Sequence, residues 1–525
     1  MSRDLLPARV PSRRSLLLTL AAAAALIGAV LAGGELPPQD PGAAGQPQVL
    51  DEVAVTAMNQ IVGVSNNSPM ILADPAEPRF VVMANRLDAP DFSCALQVSG
   101  DAGRSWVSAR PVPVLPAGAQ KCYAPEVAFD RAGRLHYLFV GLAGAGNEPV
   151  GVFLTTSEDR GRTFTEPRQV LGARNYAVRM AVDPELGETG RLHLVWLAAT
   201  SEPSLGGFGP PPNPILTAYS DDGGRTFTDP VQVSDPARER VVAPALALGP
   251  DSSVHVGFYD LGRDAIDYQG LEGAVWEQPW TLLLSTSRDG GRRFEPARVV
   301  DAQIAPPERV MLIFTMAPAA LVAGSGGLVC AAWTDARNGD ADSLARCSPD
   351  HGRTWQDITR LNDDPLGNGA RQYLPRLSLS PQGRLDAVFF DRRDDPANVL
   401  NHLYLTWSAD GGRSFTPNAQ ISRAPSDTQI GQQYVHASAR GQYEIGARLG
   451  LLSQRVGAVA VWPDTRHSES GGTGQDLFAA TVGLPDAGRR FGTVEIVGTA
   501  LILAVLIAVA TLGRRHRRQR SQAAA

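Results

Sequence analysis

The sequence predicts a single all-β propeller of four-stranded blades, and three observations predict it. An eight-residue turn motif recurs six times, its copies stand at near-constant spacing, and an apolar second-strand pattern recurs seven times at the same interval. The first copy of the motif, from Ser99 to Trp106, reads SGDAGRSW. The others are SEDRGRTF from Ser157, SDDGGRTF from Ser220, SRDGGRRF from Ser287, SPDHGRTW from Ser348 and SADGGRSF from Ser408. Their serines lie 58, 63, 67, 61 and 60 residues apart, so each repeat is about one small sheet long. Asp101, Asp159, Asp222, Asp289, Asp350 and Asp410 can each accept backbone N–H bonds inside their own hairpin. The glycine supplies a backbone angle other residues avoid, and the aromatic closes the turn by packing on the sheet. These six carboxylates are therefore structural.

The strands come in order along the chain. In the second repeat they are Tyr123 to Phe129, Leu135 to Val140, Val152 to Thr156 and, after the motif, Gln169 to Leu171, separated by turn clusters and carrying alternating apolar residues. The second strand recurs at Arg79 to Ala84, Leu192 to Trp196, Val254 to Phe258, Leu328 to Trp333, Leu385 to Phe390 and Val456 to Trp462, which makes seven repeats. Seven blades are favoured, with six as the alternative. The seventh repeat has a third strand at Asp476 to Val482 but no turn motif and no fourth strand. Gln46 to Leu50 resembles the fourth strands at Pro167 to Leu171 and Pro230 to Val233, so residues 46–56 are expected to complete the last blade and close the ring.

The repeated motif is the Asp-box, and over residues 46–484 the chain resembles the sialidase-like, BNR-repeat β-propellers. In that family the Asp-boxes are remote from the ligand. The resemblance therefore implies a site on the opposite face, among the loops between second and third strands and those leading into first strands.

Composition narrows the partners. The chain has 525 residues, a net charge of −6 and a sequence pI near 5.8, which argues against nucleic acid as a partner. Residues 1–33 have the form of a secretory signal peptide or signal anchor, with Arg3, Arg9, Arg13 and Arg14 ahead of an apolar run from Leu16 to Ala32. Ser12 to Leu17 partly resembles a twin-arginine export signal. Residues 34–45 read as a linker, 46–484 as the propeller and 485–493 as a second linker. Val494 to Leu512 is apolar apart from Glu495 and two threonines, long enough for a transmembrane helix, and 513–525 is a basic tail. By the positive-inside rule the tail is cytoplasmic. The expectation is a single-pass protein of the cell membrane with its propeller on the extracytoplasmic side.

Four cysteines fit that compartment. Cys330 and Cys347 flank a hairpin and suit a disulfide; Cys94 and Cys122 would then tie the first repeat to the second, one of three possible connectivities. No metal site and no cofactor are expected: no Cys/His spacing resembles a zinc site, and the acidic run Asp391 to Asp395 lacks a calcium-loop pattern.

Two residue sets stand out on the face away from the Asp-boxes. Asp335-Ala336-Arg337, Asp391-Arg392-Arg393 and Asp464-Thr465-Arg466 come after second strands, with Asp260 and Arg263 as a looser copy; turn capping and salt bridging between blades is the favoured reading. Aligned first strands put Glu126, Arg179, Arg376 and Arg448 at one equivalent position around the channel, where a fourth repeat has Ala245. Charges there must be paired or wet. They form either an inter-strand network or a guanidinium cluster that grips a ligand carboxylate. The network is the favoured reading; the second touches the resemblance, since sialidases hold their substrate's carboxylate with three arginines.

The resemblance also implies an Arg-Ile-Pro motif, a Tyr nucleophile beside a Glu, and an Asp acid/base. The nearest stretch to the first is Pro78-Arg79-Phe80-Val81, which departs from it. Tyr443 and Glu444 are adjacent, and Tyr373 stands three residues before Arg376, as Tyr123 does before Glu126. Adjacent strand residues point to opposite faces, so Tyr443 and Glu444 could share a site only at a bend. Whether the chain is an enzyme stays open between an exo-sialidase-type glycoside hydrolase acting on or binding glycans, and a non-catalytic propeller binding a cell-surface protein.

Overall fold

The computed structural model describes residues 47–56, 64–89, 91–107, 114–199, 212–264, 278–305, 317–431, 445–468 and 474–485. They form seven antiparallel sheets. Blade one holds Asn66–Ala73, Val81–Leu87 and Ser93–Ser99; blade two holds Lys121–Phe129, Leu135–Ala143, Glu148–Ser157 and Arg168–Leu171. Blades three to six begin with the first strands Asn175–Asp183, Val241–Leu248, Ala320–Ala323 and Gln372–Leu379 and continue in the same meander. Blade seven is Gly450–Gln454, Gly457–Asp464 and Asp476–Gly483, and its outermost strand is Gln48–Ala54 from the start of the chain. That strand pairs from Gln48 with Gly483 to Ala54 with Phe478, so the ring closes as the sequence predicts.

Two expectations need correction. Blade one has three strands among the described residues, and its outer edge meets only an isolated bridge, Val98 to Val107. The second strands do not alternate: Leu135 to Leu142 and Leu385 to Asp391 are buried without a break. The reason is the layering. The buried apolar residues fall into seven clusters, each lying between two neighbouring blades, and the cluster that joins Val81 and Met83 of blade one to Val459 and Leu477 of blade seven completes the circle. A blade is thus covered on both faces, and its middle strand has no side for water. The expected signal segment and transmembrane helix lie outside the described residues. Among the described residues no helix is long and apolar enough to cross a membrane.

The Asp-boxes repeat one network. Ser220 Oγ donates to Asp222 Oδ1 at 2.7 Å and accepts from Gly224 N, while Asp222 accepts from the N–H and hydroxyl of Thr226. The same bonds join Ser348, Asp350, Gly352 and Thr354. The motif also holds blades together. A Cβ on Gly352 would lie 2.5 Å from Leu284 of the preceding blade, and each other box glycine steps back one blade in the same way, Gly103 reaching Val459 across the closure. Both cysteine pairs are bridged, Cys330–Cys347 within blade five and Cys94–Cys122 between blades one and two.

Candidate functional site: a charged ring in the central channel

Five of the seven first strands carry a kink that aims one side chain into the channel. The register slips between Asn67 and Met70, Tyr123 and Glu126, Val242 and Ala245, and Tyr373 and Arg376. At the slip sits a residue with positive φ, Ser68, Ala124, Ala177, Ala243 or Leu374, and Gly446 has the same φ sign ahead of the first strand of blade seven. These are bulges, which bend a strand and re-aim the next side chains. Proline comes next in Ser68-Pro69, Ala124-Pro125, Ala243-Pro244, Ala317-Pro318 and Leu374-Pro375. It can stand there because a bulge frees the strand of one ladder hydrogen bond. The residue after that is the channel residue: Met70, Glu126, Arg179, Ala245, Ala319, Arg376 or Arg448, in chain order.

Three of the four charged members lock together. Glu126, its side chain only 3% exposed, pairs through Oε1 with Arg448 Nη1 and, at 3.1 Å, with Arg179 Nη1. Its Oε2 accepts from Met180 N at 3.4 Å. Arg448 also donates through Nη2 to Pro125 O at 2.7 Å and through Nε to Ser68 O at 3.2 Å, and Arg179 Nε donates to Pro244 O at 3.2 Å. The bulge carbonyls are thus part of the site, which sequence reasoning misses; the x-Pro step three residues into the first strands is the signal. Burial would raise the Glu126 carboxyl, but Arg448 and Arg179 outweigh it and hold it below its ordinary value.

Arg376 is the exception. Its Nε is buried with no hydrogen-bond partner, and its guanidinium makes no ion pair among the described residues. Burial first, then Arg448, and to a smaller degree Arg179, push its pKa down to about 10, with Glu126 opposing. Even so it is charged at neutral pH. One carboxylate against three guanidiniums leaves the ring with two positive charges in excess. An anion in the channel would relieve both the repulsion and the missing partner.

The other candidates fall elsewhere. Tyr373 is fully buried, its hydroxyl donating to Asn401 Oδ1 at 2.8 Å and accepting from Arg392 Nη2 at 3.1 Å, so it is not open to a ligand. Burial first pushes its hydroxyl pKa up. Tyr123 plays the same part, accepting from Arg86 Nη1 at 2.8 Å. Tyr443 and Glu444 lie outside the described residues. The Asp-x-Arg motifs are struts. Asp335, Asp391 and Asp464 each accept the N–H two residues on, at 2.7 to 2.9 Å. Arg337, Arg393 and Arg466 turn back to those carboxylates and reach a second acid, Asp301, Asp363 and Glu52 respectively. Asp260 pairs with Arg238 rather than Arg263. In the acidic run, Asp394 Oδ2 accepts from the Tyr404 hydroxyl, Asp395 Oδ2 from Val399 and Leu400 N–H and its Oδ1 from Ala397 N–H.

Residues 214–438 match the BNR repeat-like domain. No curated protein matches the chain. Among solved structures it is similar to a protein of unknown function from Dyadobacter fermentans, with 12% identity, 84% of this chain and 99% of that chain covered, and a TM-score of 0.46. It is also similar to a lectin from Burkholderia pseudomallei, at 12% identity with 68% and 84% covered and a TM-score of 0.43. A sialidase from Streptococcus pneumoniae matches at 10% identity, with 67% and 68% covered and a TM-score of 0.42.

Proposed function

We propose that this Asp-box propeller, similar to the sialidase-like BNR propellers, binds an acidic group of a glycan in its central channel, through Arg376. The single observation behind this is a guanidinium that is partly buried, charged and without an ion-pair partner among the described residues, beside two others already neutralised in part by Glu126. A carboxylate offers Arg376 two parallel acceptor oxygens, the geometry its fork prefers. Arg179 and Arg448, held by Glu126 and by bulge carbonyls, then act as a fixed positive surround. Binding rather than hydrolysis is the reading the described residues support. The carboxylate in the ring, Glu126, is spent on the arginines, and Tyr373 is closed off. In the same reading the body lies outside the cytoplasm and is tethered by Val494 to Leu512.

The test uses the full chain and three variants, with titration against a sialoside, a uronate-bearing oligosaccharide and their neutral counterparts. Arg376→Ala should weaken binding of the acidic glycans by roughly ten- to a hundredfold, the worth of one charge-assisted pair, and leave melting unchanged or raised, because an unpaired charge is removed. Arg179→Ala and Arg448→Ala should lower the melting temperature as well. Equal affinity for acidic and neutral glycans, or an unaffected Arg376→Ala, overturns the proposal. Release of a fluorogenic leaving group from the sialoside would establish hydrolysis instead.

A further inference from the structure

The two joints that hold blade four differ from the others near the Asp-boxes. In every blade that carries a box, one second-strand residue stands opposite the residue before the box serine. These are Val82, His136, His193, His255, Cys330 and Asp386 in blades one to six. Each faces the following blade. Val82 is apolar, and Cys330 is bridged to Cys347. Asp386 is paired with Arg384, whose guanidinium also donates to Gln454 O and Gly457 O of blade seven at 3.1 and 2.9 Å. His136 has Asp130 Oδ2 at 3.2 Å from its Nε2, so a proton on that ring finds a carboxylate.

His193 and His255 have no carboxylate at their ring nitrogens, and neither is more than 1% exposed. His193, on blade three, lies under the box of blade four, where a Cβ on Gly291 would come within 2.9 Å of its Cε1. Neither of its nitrogens has a hydrogen-bond partner among the described residues. The charged groups facing it are Arg191 and Asp221, which pair with each other at 2.7 Å, Arg191 also donating to Gly290 O. His255, on blade four, lies under the box of blade five. The ring of His351 stacks on it with centroids 5.8 Å and planes 19° apart. Its nitrogens meet two hydroxyls, Ser253 Oγ at 2.9 Å and Thr286 Oγ1 at 3.0 Å. The charged groups facing it are His351, Arg288 and Asp251, and Asp251 turns to Ser253 Oγ and His351 Nε2.

A proton on either ring puts a charge into a buried place with no counterion touching it, whereas the same ring in an opened, hydrated blade takes a proton freely. Burial first, then Arg191, holds His193 down to about 3, and burial first, then His351, holds His255 to about 4, against an ordinary 6.5. The closed values lie below the open one, so acid favours the open form as pH falls below 6.5. We propose that blade four is the acid-sensitive sector of the ring: proton uptake by His193 and His255, one at each of its joints, opens it ahead of the other blades. The opening reaches the channel. Blade four brings Ala245 to the ring of charges, and Arg179 Nε is tied to it through Pro244 O at 3.2 Å.

Hydrogen exchange of the full chain at pH 7 and pH 5, corrected for the intrinsic exchange rate at each pH, tests this. The opening constants of Val241–Leu248 and Val254–Asp260 should rise by about twentyfold for each histidine released. At pH 5 they should stand about tenfold or more above those of Leu135–Ala143 in blade two and Leu385–Asp391 in blade six. His193→Gln and His255→Gln should each take about twentyfold off the rise. That readout is a ratio between two pH values, so it holds for a variant of lower stability, and if a variant fails to fold the comparison between blades of the parent decides. Equal opening of blades two, four and six at pH 5 overturns the proposal. So does an absent rise in blade four, or one that both variants retain in full.

Discussion

Glu126 shows how one carboxylate decides the character of the channel. Its folded pKa is depressed, so the stability it contributes is present above its unfolded value near 4.5 and is lost as pH falls through the folded value. The Asp-box carboxylates work in the same direction: Asp159, Asp222 and Asp350 lie near 2, through hydrogen bonds in their own turns, against an ordinary 3.8. Burial first holds His193 down to about 3 and His255 to about 4, so stability also falls as pH drops below their unfolded value near 6.5; the melting temperature should therefore decline from about pH 6.5 and more steeply between about 4.5 and 2. Glu126→Gln should lower stability at pH 7 by roughly 3–5 kcal/mol, because it strands Arg179 and Arg448, and should flatten part of the acid limb. Melts of both proteins across that range check this. A variant as stable as the parent at pH 7 would mean that Arg179 and Arg448 are wet enough to need no partner.

At the scale of the element, the Asp-box does more than turn the chain. Its hydrogen bonds are local, but its glycine presses on the blade before it, Gly352 on Leu284 and Gly103 on Val459. A side chain there meets both a left-handed backbone, with φ near +81° at Gly352, and a neighbour that cannot move far. Gly352→Ala should cost about 2–4 kcal/mol, the sum of left-handed strain and overpacking. Gly383 is the control: φ is +86° but nothing lies within 4 Å of an added Cβ, so Gly383→Ala should cost only about 1–2 kcal/mol. Denaturant unfolding separates them; equal losses would reduce the box to a turn with no part in blade packing. The first-strand bulges are the other repeated device. Their x-Pro steps are legible in the sequence, yet only the register slips show that they aim Glu126 and Arg376 inward.

For the whole molecule, stability is shared among seven inter-blade layers, and a ring with one open seam exposes two of its faces. Gln48–Ala54 closes that seam with a ladder along Asp476–Gly483, and Glu52 brings a buried partner to Arg466. Removing residues 48–54 should leave the outer edge of blade seven unpaired and Arg466 with one acid fewer, so the protein should associate and melt lower. Light scattering and melting of the deletion check this; a monomer of unchanged stability would show that the apolar layers alone hold the ring.

The sequence by itself determined whatever repeats or acts over a few residues. The six Asp-boxes, the seven second strands, the missing fourth strand of the last blade and its counterpart at Gln48 all depend on local hydrogen bonds and strand length, and these read directly from the chain. The equivalence of Glu126, Arg179, Arg376 and Arg448 was legible too, because first strands align. Only the tertiary structure decided which of these charges are satisfied. Glu126 reaches Arg179, 53 residues on, and Arg448, 322 residues on, because the ring brings blades two, three and seven around one axis. Arg376 on blade six is left out of that pairing. Burial on both faces of each blade likewise erased the alternation expected in Leu135 to Val140, and closed Tyr373 to ligands. No local pattern carries that information, since the partner of each charge and the cover on each face come from strands whose separation in sequence bears no relation to their distance across the channel.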